Sequence, residues 1–216
     1  MKDVVYDTLQ KIRPMPELYL GWKNLTFLSH FLSGYMVRLY EAQPDYRCCL
    51  DGFSEFVTRK YNYGKDNTGN YARVILENTK NEEAALNTFF ELLDEFLESN
   101  KSDDKAKKYS ERLDEARIEE VYLFIDRIRE KPETHIGENK SLVALCMLLR
   151  GYLRARHEIN GSFRVPFDLG GFQQFVQLRF GAPTSSWDQL IFSHSASDSE
   201  AYDTFSMLFD EFRDVK

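Results

Sequence analysis

The sequence is poor in the features that mark a secreted, membrane-spanning or catalytic chain. It has three cysteines, Cys48 and Cys49 adjacent and Cys146 alone, which make neither a disulfide framework nor a CxxC metal site. Its longest clean apolar run starts at Leu142 and falls far short of the roughly 20 residues a helix needs to span a bilayer. The beginning, MKDVVYDTLQK, lacks the basic-then-apolar pattern of a signal peptide. No GxSxG elbow, GxxxxGKS loop or strand-borne GxGxxG occurs, and His30, His135, His157 and His194 form no HExxH and no cluster at metal spacing. Basic charge is also short. With 28 Lys plus Arg against 35 Asp plus Glu the formal charge is −7, which repels phosphate and disfavours a nucleic-acid partner. The expectation is a soluble, cytoplasmic protein that is not an enzyme and uses no cofactor, metal, membrane or nucleic acid.

What the chain does have is apolar and aromatic residue: 43% is hydrophobic, with 17 Phe and 12 Tyr, enough to bury a real core and too much for a disordered chain. It also has an internal repeat. EVYLFIDRIREKP (120–132) aligns with VVYDTLQKIRPMP (4–16) at a shift of 116 residues, placing Val121, Tyr122, Ile128, Arg129 and Pro132 on Val5, Tyr6, Ile12, Arg13 and Pro16. ETHIGENKSLVALCMLLRGY (133–152) follows ELYLGWKNLTFLSHFLSGY (17–35) with one insertion, so that Gly151-Tyr152 meets Gly34-Tyr35. FQQFVQLRF (172–180) follows FSEFVTRKY (53–61), and EAYDTFSMLFDEF (200–212) returns to the shift of 116 against AALNTFFELLDEF (84–96). One offset kept at both ends of about a hundred residues reads as a tandem duplication. The expected organisation is a repeat over 1–99, a polar linker or helix start over 100–116, and a second repeat over 117–216.

Each repeat reads as helical. Val5, Leu9 and Ile12, like Val121, Ile125 and Ile128, share one helical stripe, and Pro14, Pro16 and Pro132 end that helix. A second helix carries Leu25, Leu28, Phe31, Leu32 and Tyr35, matched by Leu142, Leu145, Leu148, Leu149 and Tyr152. Gly34 and Gly151 lie inside it. A mid-helix glycine costs about 1 kcal/mol against alanine, so its presence in both repeats predicts a close helix–helix approach. A short third helix holds Phe53, Phe56 and Val57; segments 71–78 and 187–194 could be helix or strand, with helix favoured; the last helix starts near Asn81. The predicted fold is all-α: two tandem copies of a roughly five-helix unit, packed with pseudo-two-fold symmetry, with a groove along the axis.

Arg13, Tyr35, Asp94 and Glu95 recur as Arg129, Tyr152, Asp210 and Glu211 and read as a polar network holding each copy together. Differences between the copies say more about function. Trp22 faces Glu138; the loop YNYGKDNTGNY (61–71) has the Tyr, Asn and Gly of a binding loop; Arg150, Arg154 and His157 form a basic stripe where the first copy has Ser33, Val37 and Tyr40. Candidate partner contacts are Trp22, Tyr46, Tyr61, Tyr63, Asp66, Arg150, Arg154 and His157.

The pieces PELYLGWKNLTFLSHFLSGY, FSEFVTRKY and ALNTFFELLDEFLES resemble a widespread type of small bacterial cytoplasmic protein found among the immunity proteins that accompany secreted polymorphic toxins, contact-dependent inhibition systems included. The likeness covers most of the first copy and, in degraded form, the second, which departs from it at Glu138, Asn139 and RARHE. The resemblance implies a non-enzymatic task, binding a cognate toxin domain inside the cell and blocking its active site. An acidic, aromatic-rich chain suits that task, because it steers a basic partner. The alternative is a regulatory or adaptor module holding a peptide or small ligand between the copies.

Overall fold

A computed structural model describes residues 3–63, 70–99, 118–160 and 167–215. Those residues are all-α, with twelve helices and no strand. The first six are α1 (Val4–Ile12), α2 (Pro16–Leu20), α3 (Leu25–Ala42), α4 (Phe53–Lys60), α5 (Tyr71–Glu77) and α6 (Glu82–Ser99). The next six are α7 (Ile118–Glu130), α8 (Pro132–Ile136), α9 (Leu142–Asn160), α10 (Phe172–Phe180), α11 (Trp187–Ser193) and α12 (Asp198–Asp214). Both ambiguous segments are helical, as α5 and α11. The expected five helices per half are six, because Pro16 and Pro132 do not merely end a helix. Each also opens a five-residue helix from its N1 position, where a fixed φ suits the turn and no amide donor is missed. Gly21 then stops α2 with φ 80°, a left-handed conformation that a residue with a Cβ adopts only at a cost.

Polar caps start the longer helices. Asp3 accepts from the amides of Val5 (2.9 Å) and Tyr6 (3.2 Å) at the head of α1. Asn24 and Ser141, at matching places before α3 and α9, accept from Phe27 (2.7 Å) and Ala144 (3.0 Å). The carboxylates at the head of the last helix of each half also reach across. Glu82 accepts from the Thr26 amide at 3.1 Å, and Asp198 from the Val143 amide at 3.2 Å, so the third and sixth helices of each half are tied at their starts.

Contacts divide the chain into two compact units, Met1–Ser29 with Tyr40–Ser110, and His30–Leu39 with Glu111–Lys216. The linker expected at 100–116 lies outside the described residues. In the first unit the stripe Val5, Leu9 and Ile12 is fully buried, and Phe53 meets Tyr71, Phe89 and Phe96 at centroid distances of 5.4, 5.4 and 5.6 Å. In the second, Phe172 sits 5.6 Å from each of Trp187, Phe205, Phe209 and Phe212. Such ring pairs add about 0.5–1.5 kcal/mol each beyond the area they bury. Trp187 is fully buried because its one polar atom, Nε1, donates to the Phe167 carbonyl at 2.8 Å.

The second unit contains the close approach that the two glycines predict. A Cβ built on Gly34 would stand 1.9 Å from the Leu148 carbonyl oxygen, and one built on Gly151 would stand 1.8 Å from that of Phe31. Leu148 lies three residues before Gly151, and Phe31 three before Gly34. The contact is therefore reciprocal. The middle of α3 and α9 touch backbone to backbone, with nothing larger than hydrogen tolerated at either glycine.

Candidate functional site

Where α1 ends, Arg13 reaches α6 and forms two hydrogen bonds to Asp94, of 3.0 and 2.7 Å. In the second unit Arg129 does the same with Asp210, at 2.8 and 2.6 Å. The paired oxygens hold both guanidinium groups above their ordinary values. These recurring residues thus act as struts between the first and last helices of each unit. Tyr35 takes a different partner, donating from a fully buried position to Glu158, and Tyr152 stacks on Phe124 at 4.2 Å.

Beside each strut is a cleft at a matching position. The first, of about 380 Å³, is walled by Arg13, Pro14, Pro16 and Lys23 and floored from α6 by Leu86 and Phe90. The second, of about 430 Å³, has Arg129, Pro132 and Lys140 on its wall and Tyr202 and Ser206 in place of Leu86 and Phe90. Lys23 of the first cleft stands 3.0 Å from Glu83 and 3.7 Å from Glu17. The hydrogen bond to Glu83, and then the charges of Glu83 and Glu17, raise its pKa.

Close in sequence to the lining residues Pro14, Pro16 and Lys23 stand apolar residues that face water. Met15 is 52% exposed, Leu18 73% and Trp22 71%, all on α2 or its flanks, with the intervening Pro16 and Leu20 buried. At the aligned positions the second unit has Lys131, Thr134 and Glu138. Buried positions agree between the two segments, since Leu20 and Ile136 are both buried and Gly21 and Gly137 both carry positive φ. The outward Met15, Leu18 and Trp22 are the exposed positions that change from apolar to polar. Sequence reasoning found Trp22 and missed Met15 and Leu18, although reading the two copies against each other at every position would have exposed all three.

The other candidates are scattered. Tyr46 is only 4% exposed and donates to Asp3 at 3.1 Å, so it packs the first unit and presents no ring to a partner. Tyr61 and Tyr63 are half-buried, and the Tyr63 hydroxyl donates to Glu77. Asp66 lies outside the described residues. Arg150 meets Asp188 at 3.2 Å and stacks over Phe167, while Arg154 meets Glu158 at 2.6 Å. The basic stripe is therefore matched by carboxylates from α11 and from its own helix. Neither Cys48 nor Cys49 is in a disulfide and both are half-buried, and burial pushes the Cys48 thiol up to about 12, which suppresses thiolate chemistry.

Among the described residues, no helix is long and apolar enough to cross a membrane. No protein-family model, curated protein or solved structure matches this chain.

Proposed function

We propose that the chain is a non-enzymatic, cytoplasmic protein-binding protein that captures and neutralises a cognate bacterial toxin domain, in the manner of an immunity protein. The observation that carries this reading is the set Met15, Leu18 and Trp22, large apolar side chains left in water on the short helix α2 and its two flanks. Clustered apolar residues in water are costly in a free protein, and tryptophan is among the residue types most enriched where partners bind tightly. The same segment in the second half carries polar residues outward, so the fold itself does not require the apolar ones. In this reading the chain is a tandem duplication with pseudo-two-fold symmetry. The six-helix order of each half, the reciprocal glycine contact, the paired Arg–Asp struts and the matching clefts all support that.

Co-expression tests the reading. The tagged chain is used to capture its partner from the source cells at low and at high salt, and the captured domain is then expressed in a test bacterium with and without the chain. Restored growth, and loss of the domain's toxic activity at a one-to-one ratio, are expected. A stoichiometric partner whose activity is untouched by the chain would sink the inhibitor reading.

A further inference from the structure

We propose that the corner made by the end of α1, α2 and Trp22 is the docking surface, that it takes one protein partner per chain, and that this partner presents an apolar pocket edged by lysine or arginine. The proposal rests on the protein-binding reading above and adds where, how many and to what chemistry.

Two features distinguish this corner from the matching place in the second unit, and a third sets the charge of its partner. The first is the outward trio, replaced by Lys131, Thr134 and Glu138 in the other half. The second is the floor of the adjoining cleft. Leu86 and Phe90 are apolar and almost wholly buried, with the Arg13 guanidinium 5.3 Å above the Phe90 ring, whereas the other cleft has Tyr202 and Ser206 there. Since the two corners share their architecture and differ in chemistry, one chain offers one such surface, not two.

The third feature is charge. The two cations of the cleft are outnumbered: Arg13 is held by Asp94, Lys23 stands against both Glu17 and Glu83, and Glu91 adds a further carboxylate at the rim. Two positive groups against four negative ones leave the edge of the apolar surface anionic. An acidic partner, or a second copy of this acidic chain, would bring like charges together around the apolar centre, which costs affinity and slows encounter. A pocket rimmed by Lys and Arg gains on both counts, and it receives Trp22 as an anchor of the kind that dominates binding energy.

The test uses the full chain with a photo-crosslinking p-benzoylphenylalanine in place of Leu18, and separately in place of Thr134 as control. After irradiation in the source cells, the crosslinked peptides are sequenced. The expected result is one partner crosslinked from position 18, none from 134, with the attached peptide flanked by basic residues. Crosslinks mainly to another copy of this chain, to an acidic partner surface, or equally from both positions would overturn the proposal. A second arm transplants the outward residues of the other half as M15K/L18T/W22E. These sites are exposed, so the urea midpoint should hold, while capture of the same partner should weaken at least about 100-fold. If that variant still neutralises the toxin domain at wild-type levels, this surface is wrong and the inhibitor reading stands. If capture is lost from a partner the chain never inhibited, the surface stands and the inhibitor reading falls.

Discussion

The Arg129–Asp210 ion pair sets a pH dependence that a single residue can report. Asp210 is held below the usual carboxylate range, first by its hydrogen bond to Arg129 and then by that cation's charge. A carboxylate depressed in the folded state binds its proton less readily there than in the unfolded chain. Its stabilisation is therefore complete above the unfolded value of about 4 and drains away as pH falls through the folded one. Asp210→Asn should lower the urea midpoint at neutral pH and flatten the loss of stability on acidification below about pH 4. The carboxylate is largely exposed, so solvent screening keeps the effect small. Parallel unfolding curves for wild type and variant at every pH would show that the strut carries no such coupling. That Arg129 and Asp210 would pair could be read from their recurrence as Arg13 and Asp94. Arg154 is a contrasting case. Its partner Glu158 stands four residues on in the same helix, a spacing visible in the sequence and sufficient to predict a neutralised side chain.

At the level of the helix, the decisive positions are the two glycines. Alanine is the better helix former by about 1 kcal/mol, so on propensity alone Gly34→Ala and Gly151→Ala would stabilise. The opposite is expected. A Cβ at 1.9 or 1.8 Å from a carbonyl oxygen forces α3 and α9 apart, and overpacking of this sort costs about 1–3 kcal/mol or more. Both variants should unfold at lower urea than wild type, whereas Ser33→Ala on the same helix should change little. A neutral Gly34→Ala would mean that the helices do not touch there. This contact was legible beforehand because a glycine kept inside two corresponding helices has few other reasons to be there. The five-residue helices α2 and α8 were not legible, since one and a half turns are too short to show a period. Their punctuation was present all the same, in Pro16 with Gly21 and Pro132 with Gly137. Met15 and Leu18 escaped for the same reason: a side chain cannot be assigned to water on a helix that has not been recognised.

For the molecule as a whole, repeat boundaries and compact units do not coincide. The repeats expected from the sequence divide it after Ser99, but His30–Leu39 from the middle of α3 groups with Glu111–Lys216. Within that unit the segment covers the backbone at Leu148 and Gly151, and its Val37 packs on the aromatic core. The fragment 111–216 alone therefore lacks part of its own interior. We expect it to melt without a cooperative transition, or to self-associate, and to gain a sharp urea transition when a peptide spanning 24–42 is added. Sedimentation and near-ultraviolet dichroism will decide. A monomeric fragment as cooperative as the full chain would show that α3 is dispensable to that unit. Periodicity gave the helices, and the repeat gave their order. What neither could give is which helix completes which core, because that depends on contacts made more than a hundred residues apart.

The reciprocal glycine contact also has a consequence for the nascent chain. Phe31, Leu32 and Tyr35, almost wholly buried in the finished protein, leave the ribosome long before the α9 backbone that Gly34 will touch. At about 5–20 residues per second, that helix waits roughly 5 to 20 s with an uncovered apolar face. Early translation is therefore the moment at which this protein is most exposed to aggregation. Slowing elongation between the codons for Ala42 and Leu142 should lower soluble yield, without changing one amino acid.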